Sequence, residues 1–153
     1  MLKTMKTVVR KPKEVTPNLG TIRDLKPIHV AQELSFGFGD DVVIYDVRER
    51  TPFVSFYIVA TAANDKRLKA LTATGEQALY DSFEDVDHVE GRNDSQWILI
   101  DAHDIVLQLF TKEERKRVDL DSLYRNCPHK TVVQESKPVY RKRKAPATQE
   151  NKA

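Results

Sequence analysis

Residues 90–124 read EGRNDSQWILIDAHDIVLQLFTKEERKRVDLDSLY, and this stretch decides the fold. Residues 96–100, QWILI, are apolar almost throughout and predict a strand; residues 104–110, DIVLQLF, predict a second. Between them, Asp101, Ala102, His103 and Asp104 leave room only for a tight antiparallel turn. Such a turn needs positive φ at one position, where glycine is easiest and His, Asn and Asp are the next most tolerated. His103 is therefore a turn residue before it is a chemical one. Strand alternation puts Trp97, Leu99 and Asp101 on one face and Ile98 and Ile100 on the other. Two faces that are both mostly apolar mean either full burial or a surface kept for a partner.

Working outward, residues 111–117 predict a charged turn carrying Arg115, Lys116 and Arg117, and residues 119–124 a short terminal helix. Upstream, residues 91–95 predict a polar loop and residues 86–90 a short strand. A long helix is expected from a cap at Asn64 or Asp65 to Phe83. Leu68, Leu71, Gly75, Ala78, Leu79 and Phe83 keep helical spacing on its inner face. Gly75 weakens such a helix by up to about 1 kcal/mol relative to Ala, so close packing is its expected reason. Residues 41–47 (DVVIYDV) and 53–61 (FVSFYIVAT) predict two more strands, the second central. Residues 24–36 predict a first helix, capped by Asp24, with Pro27 in its first turn and Ile28, Ala31 and Leu34 as its stripe. Residues 1–20 contain no sustained period beyond a short extended piece at 7–10, and order is expected to fade from Arg125 onward. The organisation expected is thus a basic flexible extension at 1–20, a domain at 21–124 and a basic flexible tail at 125–153. The fold class is α/β: a mixed sheet of about five strands packed with helices.

The order E-G, then WILID, then DIV, then a charged loop with Arg115, then DLDSLY resembles the ribosomal silencing factor family, also called Iojap-like or RsfS. DVVIYDV and FVSFYIVAT fit the same frame, so the resemblance covers roughly residues 24–124. The chain departs from the family's common residues at Ser55, Ala62, His103, Gln108, Val118 and Tyr124. The resemblance implies a sheet related to the nucleotidyltransferase fold, while the missing Gly-Ser turn, metal cluster and activated nucleophile make an enzyme unexpected. It implies binding to the large ribosomal subunit through large-subunit ribosomal protein fourteen, and a steric block to joining of the small subunit that represses translation. It places Trp97 and Ala102 at that contact, with His103 and Val118 at divergent positions of the same surface. Arg115, Lys116 and Arg117 make either a solvated charged loop or a contact with ribosomal RNA phosphate or acidic side chains.

Charge layout bears on the partner. Residues 1–20 hold five Lys/Arg against one Glu, a net +4, and residues 125–153 hold eight against two, a net +6. With +2 overall, the 104 residues between carry −8. An acidic body suits a basic protein, and basic tails suit nucleic acid. An RNA-binding assembly factor that works through its tails is the alternative function. A homodimer of the free chain is compatible with the apolar strand faces. No apolar run approaches the roughly 18 residues of a membrane span, and MLKTMKTVVRKPKEV has no secretory h-region. A bacterial cytoplasmic location is expected, with an organellar address as the alternative.

Catalytic residues, cofactors and metals are not expected. A metal-dependent nucleotidyltransferase would use a Gly-Ser turn, and the chain has no Gly-Ser pair. Asp46, Asp101 and Asp104 are carboxylates a magnesium ion would accept, but Asp101 and Asp104 flank a turn in which Asp is favoured anyway. His29, His88, His103 and His129 keep no zinc-ligand spacing with one another or with Cys127. Gly37-Phe38-Gly39 precedes a strand rather than a helix, the wrong context for a phosphate loop.

Overall fold

The computed structural model describes residues 22–91 and 95–133. Along the chain lie α1 (Leu25–Phe36), β1 (Asp40–Asp46), β2 (Phe56–Ala62), α2 (Asp65–Asp81), β3 (His88–Glu90), β4 (Trp97–Ala102), β5 (Ile105–Thr111), α3 (Lys112–Val118), α4 (Leu120–Tyr124) and β6 (His129–Val132). The strands form one six-stranded sheet in the order β3-β4-β5-β2-β1-β6. β2 and β5 pair in parallel from Phe56↔Ile105 to Ala62↔Thr111, and the other four pairings are antiparallel. This is the mixed α/β architecture expected, with one strand more. The central pair is β2 and β5 because those segments are apolar on both faces; all of β5 and all of β2 except Tyr57 are buried.

α1 and α2 cover one face. Val30, Ala31 and Leu34 from α1 and Leu68, Leu71, Ala78 and Leu79 from α2 meet Ile44, Ile58, Ile98, Ile100, Leu107 and Leu109 from the sheet. Asn64 caps α2, its Oδ1 accepting from the Arg67 N–H at 2.9 Å. Gly75 marks the closest approach of α2 to the sheet: a Cβ there would stand 2.7 Å from Leu107 Cδ1. The expected packing reason for this glycine therefore holds. The opposite face carries a smaller cluster of Tyr45, Val47, Val59, Phe110 and Cys127. Val118, Leu120 and Tyr124 from α3 and α4 pack onto it.

Several expectations need correction. Asp24 stands at the start of α1 but makes no capping hydrogen bond; its carboxylate lies 3.5 Å from Arg48 instead. β2 begins at Phe56, not at 53, and Phe53 is 82% exposed. The Phe53 N–H is taken by Thr51 Oγ1 and the Ser55 and Phe56 N–H groups by the Asp104 carbonyl, so residues 53–55 form a loop anchored to the β4–β5 turn. α2 ends at Asp81, and Phe83, at φ 64°, is exposed rather than part of its inner face. The short strand begins at His88, not at 86. Residues 112–118 are a helix rather than a charged turn. Glu113 and Glu114 occupy its first turn and Arg115, Lys116 and Arg117 its last, the arrangement that complements a helix dipole.

Order does not fade at Arg125. Cys127 is buried, Pro128 accepts from the Asp46 N–H, and β6 pairs with β1 from Val42↔Val132 to Tyr45↔His129. The physical reason is the edge of β1: Val42 and Ile44 are fully buried, and an uncovered edge there would leave main-chain groups unpaired beside them. The expected tail at 125–153 is thus corrected over residues 125–133. The extended piece at 7–10, the extension at 1–20, the basic run at 141–144 and the middle of the loop at 91–95 lie outside the described residues.

Candidate partner-docking surface

The face opposite α1 and α2 is only partly closed, and its open part is built by alternation. Along β4 the residues facing the helices, Ile98, Ile100 and Ala102, are buried, while Trp97, Leu99 and Asp101 are half-exposed on the other side. Antiparallel pairing sets Trp97 opposite Phe110 and Leu99 opposite Gln108. The indole stacks on Phe110 with ring centroids 5.3 Å apart and planes 26° apart. Its Nε1–H donates to Gln108 Oε1 at 2.8 Å. Gln108 is 4% exposed, so this bond satisfies a polar group that burial would otherwise penalise. Trp97 is therefore braced on one side by Phe110 and along its edge by Gln108, and stays half-exposed.

α3 and α4 fix the far boundary of this face. Asp119, at φ 53°, ends α3 and turns the chain into α4. Arg115 pins the corner: Nε and Nη2 donate to Asp121 at 2.9 and 3.0 Å, and Nη1 to the Asp41 carbonyl at 2.7 Å and Thr61 Oγ1 at 2.9 Å. The Tyr45 hydroxyl donates to the same Asp121 carboxylate. Burial pushes the Asp121 carboxyl up, but the hydrogen bonds from Arg115 and Tyr45 outweigh it and hold it below the usual carboxylate range. Burial, with Asp121 beside it, pushes the Tyr45 phenol well above its ordinary value. Tyr57 and Tyr124 close the middle of the face at 5.2 Å. Burial and the neighbouring Tyr124 push the Tyr57 phenol up to about 12.

The structure separates the residues that the sequence grouped. Trp97 and Val118 pack against the same cluster on the open face. Ala102 is 1% exposed on the opposite, helix-covered face and is part of the core, so its expected place in a contact surface is corrected. His103 is exposed at the β4–β5 turn with φ 71°, as the turn reading required. It sits six residues from Trp97, about 20 Å along an extended strand. Arg115, with its side chain 13% exposed, is an internal pin rather than a free contact. Arg117 is exposed and paired with Glu114 at 3.0 and 2.7 Å, and Lys116 is exposed. Sequence reasoning missed Gln108 as the partner of Trp97. The available signal was a lone polar residue inside the apolar run IVLQLF, opposite Leu99 on the same face as the tryptophan.

A mixed sheet sealed by helices on one face and left half-open around an indole on the other defines an α/β domain with two unlike faces. A sequence model of the family described as "Ribosomal silencing factor during starvation" (RsfS) matches residues 24–153, and the chain belongs to that family. It is 27% identical over 100 residues to the ribosomal silencing factor RsfS of Chromobacterium violaceum, covering 65% of this chain and 82% of that one. It is 22% identical over 89 residues to the ribosomal silencing factor RsfS of Bacillus subtilis, covering 58% and 75%. A crystal structure of a Chromobacterium violaceum protein superimposes with a TM-score of 0.62 at 25% identity, over 66% of this chain and 84% of that one. A Bacillus halodurans structure superimposes with a TM-score of 0.58 at 20% identity, over 72% and 99%, a likeness of fold.

Proposed function

We propose that this protein silences translation by docking on the large ribosomal subunit, with large-subunit ribosomal protein fourteen as its partner, and by occupying space that the small subunit needs for joining. The mechanism is steric and involves no reaction. The observation that carries the reading is Trp97, braced by Phe110 and Gln108 and open on its other side beside Leu99. Val118 borders the same surface from α3, and the acidic body suits a basic partner. Lys116 and Arg117 lie on the rim, where charge changes act mainly on association rate and salt dependence. His103, about 20 Å from the indole, is a peripheral contact at most.

The test is co-sedimentation of the full chain with isolated large subunits, small subunits and joined ribosomes, alongside a subunit-joining assay. Binding to large subunits alone, with joining inhibited in proportion to occupancy, is the expected result. Retention on small subunits or on joined ribosomes would overturn it. Binding that vanishes on removing residues 1–20 and 134–153 from a folded domain would move the activity from this face to the tails.

A further inference from the structure

We propose that the chain carries a divalent transition-metal site at the β3 edge of the sheet, formed by Asp87, His88 and Asp101. β3 and β4 pair antiparallel with His88 directly opposite Asp101. Residues directly opposite in such a pair share a face. The Asp87 N–H donates to the Asp101 carbonyl at 2.6 Å, which locks the approach of the two acidic residues. His88 Nδ1 lies 2.9 Å from Asp87 Oδ2 and 3.9 Å from Asp101 Oδ2. One ligand atom from each of the three residues falls within 4.8 Å of the others. Bonds of about 2.0–2.2 Å to a tetrahedral ion set ligand atoms roughly 3.3–3.5 Å apart, so these groups close on an ion with small side-chain adjustments. From the β4–β5 turn, His103 Nε2 comes within 3.7 Å of Asp87 Oδ1.

The second nitrogen of His88 is held as well. Its Nε2 lies 2.8 Å from Glu90 Oε2. A carboxylate that holds one ring N–H fixes the ring's orientation and leaves the other nitrogen to bind metal, the arrangement that supports metal-ligating histidines. A metal would take Nδ1 beside Asp87, while Glu90 stays on Nε2. Imidazole mixed with two carboxylates suits zinc, cobalt or nickel, whereas magnesium and calcium call for all-oxygen shells. The ligands come from His88 at the start of β3, Asp87 just before it, and Asp101 thirteen or more residues later, so no short-range spacing announces them.

The site does not depend on the docking proposal and is tested separately. The full chain is titrated with Zn²⁺ against a chromophoric chelator at two pH values, and with Co²⁺ by its visible absorption. The expected result is one tight equivalent at both pH values and a tetrahedral Co²⁺ spectrum. His88→Ala lowers the affinity by at least about tenfold and Glu90→Gln by about tenfold, with circular dichroism unchanged because both side chains are exposed. His29→Gln combined with His129→Gln, on other elements, leaves binding intact. Wild-type binding no tighter than that of His88→Ala, or binding lost with His29 and His129, would overturn the proposal.

Discussion

The two faces of the sheet are made from the same strands and do opposite things. Toward α1 and α2, the alternate residues Ile98, Ile100, Ala102, Ile105, Leu107 and Leu109 of β4 and β5 are apolar and fully covered. Toward the other side, the intervening positions are Trp97, Leu99, Asp101, Val106, Gln108 and Phe110, larger and more polar on average, and β4 there is only half covered. The first face is an apolar jigsaw whose worth is stability. The second face combines rings with the polar atoms those rings need, which holds an aromatic surface in place without closing it. A strand can serve both purposes because its side chains alternate; one residue of register shift would exchange them.

That contrast can be broken first on the closed face. Leu107→Ala removes a fully buried side chain between α2 and the sheet and is expected to cost about 2–5 kcal/mol. Chemical denaturation checks this, and a loss under about 1 kcal/mol would mean that α2 does not seal the sheet. Next comes the corner of the open face. Arg115→Ala leaves Asp121 without its main partner and is expected to cost about 2–3 kcal/mol, less than a fully buried pair. The same carboxylate predicts the acid limb. Its folded pKa is lowered, so its contribution is complete above the unfolded value and is lost as pH falls through the folded one. Arg115→Ala should therefore flatten the fall in stability at acid pH, a comparison made by thermal melts across pH.

Trp97→Ala is the test that divides the two roles. Because the indole is only half-buried, the stability loss should be about 2 kcal/mol, below that of a core aromatic. Large-subunit binding should fall by roughly 30-fold or more. A folded variant that still blocks subunit joining at the wild-type concentration would remove Trp97 from the surface. The smallest effect belongs to the turn. His103→Gly relieves a positive φ and should raise stability by up to about 1 kcal/mol, read as a melting rise of a few degrees.

The hairpin, its turn residue and the alternation of β4 were legible because they are local: two apolar runs, four residues between them, and a strict period. Gly75 was legible as a packing position for the same kind of reason, a glycine inside an otherwise uninterrupted helical stripe. The same alternation also assigned Ala102 to the side of Ile98 and Ile100, so grouping it with Trp97 as a contact went against the strand's own period. Arg115 was not legible. Nothing nearby distinguishes it from Arg117, and the partners that draw it inward, Thr61 and the Asp41 carbonyl, lie 54 and 74 residues away. α3 was hidden because a run of charges looks like a solvated loop until its acidic and basic halves are set against a helix axis. β6 was hidden because its four residues, HKTV, have little pattern alone; the need for them is written in the edge of β1.

The parallel seam between β2 and β5 has a kinetic consequence. β4 meets β5 across two residues, and β1 meets β2 across a loop of nine, Asp46↔Phe56 being the innermost pair. Both hairpins require little chain closure and belong to the microsecond class of events. The seam joins Phe56 to Ile105, with α2, β3 and β4 in between, and every parallel contact has a sequence separation of 49 residues. Closing so long a segment before its contacts form is the costly step, so the folding barrier should lie at the docking of two preformed hairpins. Until that docking is complete, the inner edges of β2 and β5 are exposed together, and a nascent chain passes through its most association-prone state just before it becomes native.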